Sequence, residues 1–176
     1  GGGAPPPVVS VFSRASAAID APRTRPQLVV LVLDHVLWPY SVDENTDAST
    51  PSANPYPDVD GIFAALRSKS IKMAAVLNTV GADKVEELLA RYGWAGHFDV
   101  MERLPADAGE EHIGSVRRKL GVAYTQMICF DTDRARLREL ARLGATTVLV
   151  RNGLTVEVLA QAFSQFDSSD LANRGF

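Results

Sequence analysis

The sequence predicts an α/β domain, a doubly wound, Rossmann-like parallel sheet with helices on both faces. Two observations carry that reading. Leu28–Leu33, Ile71–Leu77, Gln126–Phe130 and Thr146–Val150 are short aliphatic runs, as strands buried on both faces require. Segments with helical apolar spacing, each about ten residues long, alternate with them, which is the pattern of βαβ units.

In chain order, Gly1–Pro7 is a Gly/Pro tract that cannot pack, and Val8 to Ile19 holds at most a short amphipathic stretch. Pro22 and Pro26 punctuate the entry to the first strand. Trp38 to Pro57 is polar and rich in Pro, Ser, Asp and Asn, so it reads as a long excursion. Asp58 to Ser68 places Val59, Ile62, Phe63 and Leu66 on one helical face, with Asp58 as candidate N-cap. Ala82 to Tyr92 turns Val85, Leu88 and Leu89 inward and stops at Gly93. Phe98–Met101 is a short strand candidate, and Glu110–Leu120 a helix ending at Gly121. Arg134–Leu143 is a helix closed by Gly144, and Thr155–Phe166 is the last. The expected division is an extension over 1–27, a domain over 28–167 and a polar tail over 168–176. The extension is expected to reach away from the domain and to be ordered by another chain, the alternative being a disordered leader or a strip lying on its own core.

Composition removes several classes. With 176 residues and 46% hydrophobic content, the chain is long enough for one full core. A formal charge of −3 disfavours a nucleic-acid binder, which neutralises phosphates with excess Lys and Arg. The one cysteine, Cys129, sits inside a strand run and reads as core; it cannot form an internal disulfide. The run Leu28–Leu33 is far short of the roughly 20 residues that a membrane-spanning helix needs, so no transmembrane segment is expected. His35, His97 and His112 lack metal-ligand spacing. Arg134, Arg136, Arg138 and Arg142 read as a solvated basic face balanced by Glu139. The first 27 residues, with Arg14, Arg23, Arg25 and the single acid Asp20, resemble an organellar targeting region or its stub, which suggests a mitochondrion or plastid.

Ligands of open parallel sheets bind at the carboxyl ends of strands. Those ends deliver Asp34, then Leu77-Asn78-Thr79, then Asp131-Thr132-Asp133, then Arg151-Asn152-Gly153. Asp34 and Asp131, from separate strands, are candidates to converge on a hard cation such as Mg²⁺; an Asp after a strand equally serves to cap the next helix.

The segments 28–41, 55–80, 124–137 and 142–156 resemble the magnesium-dependent phosphatases of the haloacid dehalogenase superfamily. The most telling combination is Leu37-Trp38-Pro39-Tyr40 after a strand-end Asp, followed by Tyr56-Pro57 opening a helix. The resemblance covers about residues 28 to 163 and implies a haloacid dehalogenase-like fold with a minimal cap. It also implies a D-x-D-x-T motif whose first Asp attacks phosphorus, whose second is the general acid/base, and which works with Mg²⁺.

Carried over residue by residue, most of that chemistry is missing. Trp38 aligns Asp34 with the acid/base and leaves Val32 at the nucleophile position, with Val36 in place of the Thr. If Asp34 is instead the nucleophile, Val36 replaces the acid/base. The hydroxyl that should end the second strand falls on Leu77, leaving Asn78 and Thr79 as candidate phosphate ligands. The lysine position falls near Gly109, beside Glu110 and Glu111. The acidic metal motif survives as Asp131, with Thr132 for the second acid and Asp133 one further on, so the candidate metal residues are Asp131, Asp133 and Asp34.

The expectation is a degenerate phosphatase-like domain acting as a non-catalytic accessory or structural subunit among other protein subunits. No cofactor is expected, or Mg²⁺ if any. The competing readings are a working Mg²⁺-dependent phosphomonoester hydrolase, using Asp34, Asp131 and Asp133 through an acyl phosphate, and a module that binds a small phosphorylated ligand without turnover.

Overall fold

The computed structural model describes residues 3, 9–49, 54–104 and 111–175, and most of the Gly/Pro tract lies outside them. Five parallel strands run β1 (Leu28–Val32), β2 (Lys72–Asn78), β3 (Val100–Leu104), β4 (Met127–Asp131) and β5 (Thr146–Leu149), in the spatial order β3-β2-β1-β4-β5. Six helices accompany them: α1 (Val11–Asp20), α2 (Val59–Ser68), α3 (Ala82–Arg91), α4 (Glu111–Leu120), α5 (Arg134–Arg142) and α6 (Val156–Asn173).

The two faces follow from the two-residue side-chain period of a strand. Val29, Leu31, Met73, Ala75, Ile128 and Phe130 point into one core with α1, α2, α3 and α6. Leu28, Val30, Ala74, Val76, Met127 and Cys129 point into the other with α4 and α5. The sheet winds from β1 toward β3 on one side and restarts at β4 on the other, so the switch lies beside β1. The excursion after β1 forms no helix or strand among its described residues. It is held by the bond from Tyr56 N to Leu37 O at 2.8 Å and by the burial of Trp38, Val42 and Ala48.

Four expectations are corrected. Residues 11–27 are not an arm reaching away from the domain; they pack on it. Ser10 caps α1 through its Oγ, which accepts from Ser13 N at 3.1 Å, and Ala15 and Ile19, one turn apart, are fully buried. Gly61 of α2 permits this approach, because a Cβ there would lie 2.7 Å from Val11 Cγ1 and 2.9 Å from Phe12 N. Arg14 pairs with Glu157 at 2.7 Å, and Thr24 donates its amide and its hydroxyl to Asp167 Oδ1, both at 2.8 Å. The short apolar face sufficed because α2 and α6 were waiting for it.

The polar tail is helix as well. α6 continues to Asn173, and Asp170 is buried, accepting from Gln126 Nε2 at 3.0 Å and pairing with Arg174 Nε at 3.0 Å. Finally, β3 begins two residues later than expected. Its register with β2 runs Ala74–Val100 to Asn78–Leu104, and the charges of Glu102 and Arg103 on this edge strand disguised it. Asp58 also caps a different helix from the one it precedes: its Oδ2 accepts from Val156 N at 2.9 Å, at the start of α6, and makes no side-chain cap of α2.

Because α1 belongs to the core, Ile19→Ala should cost about 3 kcal/mol, as large-to-small core changes do. That corresponds to a fall of roughly 6–12 °C in melting temperature for a domain of this size. Thermal unfolding of the purified chain checks it; an unchanged Tm would mean that α1 does not pack there.

Candidate functional site

The carboxyl ends of β1, β2 and β4 enclose a cavity of about 180 Å³. Val32, the last residue of β1, stands opposite Val76 of β2, and both line it. Beyond Val32 the chain turns tightly, with Leu37 N bonded to Leu33 O at 2.9 Å, and His35 takes the left-handed φ of 61°. A non-glycine residue there carries on the order of 1–2 kcal/mol of strain. The turn presents Asp34, His35 and Ser41 to the cavity and sends Val36 fully into the core.

Asp34 is half-buried, and its Oδ1 accepts a bond from Trp38 Nε1 at 2.9 Å. Burial pushes its carboxyl above the ordinary value, against the opposing pull of the Trp38 bond and a bond from the Val42 backbone. Asn78 reaches the cavity from the end of β2, whereas Thr79 is not on its wall; its amide extends the β2–β3 pairing to Leu104 O at 2.8 Å. Leu77, at the hydroxyl position, is buried. Gly109 and Glu110, around the lysine position, lie outside the described residues. Sequence reasoning passed over one contact, His35 Nε2 to Ser41 Oγ at 3.0 Å, because nothing in a six-residue separation marks it.

The β4 end is governed by an ion pair. Asp131 is 4% exposed, and Arg136 grips it with two bonds, Nε to Oδ2 at 2.8 Å and Nη2 to Oδ1 at 2.9 Å. The amides of Thr132 and Asp133 also donate to Oδ1, at 2.6 and 3.0 Å. Asp133 is the N-cap of α5: its Oδ1 accepts from the amides of Ala135 and Arg136 at 2.8 and 3.1 Å. Those backbone bonds, the Arg136 amide foremost, hold the Asp133 carboxyl below its usual range. The bond to Asp131 raises the Arg136 guanidinium further above its already high value.

This corrects the reading of Arg136 as one member of a solvated basic face. Its neighbour Arg142 does pair with Glu139, at 2.6 Å, but Arg136 turns inward to Asp131 and lines the cavity. Four arginines on one helix look alike in sequence, and only the position of β4 selects one of them. Asp34, Val32, Asn78 and Thr132 do come together at one cavity, while Asp131 reaches it only through the guanidinium that covers it and Asp133 is spent on the helix end.

A family model described as Acid Phosphatase matches residues 24–169. The chain belongs to the acid phosphatase family. Its haloacid dehalogenase-like fold is shared with a Had-superfamily hydrolase from Ehrlichia chaffeensis, at a TM-score of 0.59, 6% identity, and coverage of 82% of this chain and 98% of that one. Among curated relatives, Magnesium-dependent phosphatase 1 of Homo sapiens is 27% identical over 154 residues, 80% of this chain and 87% of that protein. A HAD-like hydrolase superfamily protein of Schizosaccharomyces pombe is 25% identical over 156 residues, 74% of this chain and 90% of that protein.

The residues of this acid phosphatase family member do not fit the Mg²⁺ that its family implies. The ion wants about six oxygens in octahedral array. Val32 offers a hydrocarbon, Asp34 is held by Trp38, and both oxygens of Asp131 are held by a cation already present. Among the described residues, no three His, Cys, Asp or Glu side chains are grouped to hold a metal. Cys129 adds no alternative chemistry, since burial pushes its thiol up to about 12.

Two measurements follow from these partners. Removing Arg136 strands the buried charge of Asp131, which costs about 3–5 kcal/mol for a fully buried pair; Arg136 is partly exposed, so Arg136→Ala should cost on the order of 2 kcal/mol in denaturant unfolding. For Asp34, the native state binds a proton more tightly than the unfolded chain, so stability falls as pH rises above the unfolded value of 3.8. Asp34→Asn keeps an acceptor for Trp38 and should raise the Tm at neutral pH, with the gain vanishing as pH falls below 3.8. A gain that persists below that pH would refute the assignment.

Proposed function

We propose that this chain is a non-catalytic member of its family, an accessory or structural subunit that keeps the phosphatase scaffold without the reaction. The observation carrying this reading is the pairing of Arg136 with Asp131 opposite Val32: the nucleophile position is a hydrocarbon and the metal-side carboxylate is neutralised from within. An isopropyl group has no electron pair with which to attack phosphorus. A bound phosphate dianion would also meet Asp34, with the only nearby guanidinium among the cavity-lining residues committed to Asp131.

A contact role is supported by two exposed apolar side chains at the N-terminal end of the described chain, Val9 just before α1 at 58% exposure and Phe12 in its first turn at 42%. Large apolar side chains left in water are the raw material of protein contacts. The partners proposed are other protein subunits.

The rewired-hydrolase reading has one observation in its favour, since Asp34 is a half-buried carboxyl of raised pKa in a strand-end cavity, as acid/base groups often are. Turnover decides between the two. The purified chain with Mg²⁺ and an aryl phosphate should release no phosphate above buffer, and Val32→Asp should not restore it, because Asp131 stays locked. Magnesium-dependent turnover abolished by Asp34→Asn would overturn the proposal. For the subunit role, purification from the source organism should yield the chain together with other chains; recovery as a lone monomer would count against it.

A further inference from the structure

We infer that Arg136 is a built-in replacement for the divalent cation: its guanidinium supplies the positive charge at the β4 end and keeps Mg²⁺ out. This deepens the non-catalytic reading of the same cavity and adds to it, because an inert domain of this fold could still retain the ion.

The charge balance shows why something cationic is needed. Asp131 is buried at the end of a central strand, Asp133 follows two residues later, and Asp34 stands across the cavity. A buried carboxylate without a partner is strongly unfavourable. In this chain the partner is part of the same polypeptide, a side chain five residues on. Arg136 rises from the first turn of α5, a helix whose start is pinned by Asp133 accepting the Ala135 and Arg136 amides, so the backbone that carries the guanidinium is fixed by the same acidic segment that it neutralises. The fork meets both oxygens of Asp131 at 2.8 and 2.9 Å, and Nη1 lies 3.5 Å from Asp133 Oδ2. A guanidinium is charged at every accessible pH and matches a carboxylate with two parallel bonds.

An incoming Mg²⁺ would have to displace both bonds, surrender tightly held waters, and then sit beside the displaced positive charge. It would gain only Asp131 and, at most, Asp34, with Val32 supplying nothing. A tethered cation at very high effective concentration wins that competition against a dilute free one. The pair is also distinct from ordinary surface pairs of this chain such as Arg142–Glu139, whose side chains are 67% and 51% exposed; the Asp131 side chain is 6% exposed.

The test is direct binding of Mn²⁺, used as a paramagnetic stand-in for Mg²⁺ and followed by its free-ion EPR signal, with the Tm measured in parallel. The wild-type chain should leave the Mn²⁺ free at about 1 mM and show the same Tm in EDTA and in MgCl₂. Arg136→Ala should bind Mn²⁺ at least about tenfold more tightly and recover part of its lost Tm in its presence. Arg136→Lys, which keeps the charge, folds more safely and should still exclude the ion. Adding Asp131→Asn to Arg136→Ala should abolish the gained binding. Stoichiometric Mn²⁺ binding by the wild type, or no gain in Arg136→Ala, overturns the inference; if Arg136→Ala fails to fold, ion binding by Arg136→Lys equal to that of free buffer supports it, and tight binding overturns it. Aryl phosphate turnover is measured on the same samples. Wild-type Mn²⁺ binding without turnover defeats this inference alone, whereas turnover defeats the non-catalytic reading.

Discussion

The structure is organised around β1, a five-residue strand with hydrogen-bonded neighbours on both sides and a helical layer on each face. Its first four side chains have no exit to water: Leu28, Val29, Val30 and Leu31 are all essentially inaccessible, alternating between the two cores. Such a strand makes demands on what surrounds it. One layer needs apolar cover from α1, α2 and α6 together, which is why a ten-residue N-terminal helix with only two fully buried side chains is nonetheless integral. α1 and α2, ten residues each, are too short to be stable alone in water, so their order comes from packing.

The same placement explains the site. A central parallel strand releases its last residue into the crevice where neighbouring strands also end, and whatever stands there meets the ends of β2 and β4. Val32 occupies that point. Once the β1 end carries no carboxylate partner for a metal, the acidic β4 end still needs charge compensation, and Arg136 provides it. Val32 presents a hydrocarbon at the β1 end, and Arg136 neutralises the carboxylate at the β4 end. The fold tolerates this because its stability resides in the two cores and not in the chemistry at the strand ends.

Asp34 has a structural use. Its bond from Trp38 Nε1 closes the turn after β1, and Trp38 in turn stacks with Tyr40 at 6.0 Å and contacts Tyr92 at 6.4 Å between ring centroids. A carboxylate kept at this place therefore holds the start of the excursion against the core, which gives it a reason to be present apart from any reaction.

The sequence by itself determined the fold class, because a strand buried on both faces must read as an unbroken aliphatic run, and Leu28–Leu33 and Ile71–Leu77 do. It also placed Val32, Asp34 and Asn78 at strand ends, and all three line the cavity, whereas Thr79, named with Asn78, does not. It could not fix the docking of α1, the full length of α6 or the shifted β3, whose local signals were weak and whose stability comes from distant partners such as Gly61, Gln126 and the β2 edge. Nor could it choose Arg136 from four arginines on one helix. That choice depends on where α5 lies against β4, five residues and a turn away, and only the packed chain brings that guanidinium onto Asp131.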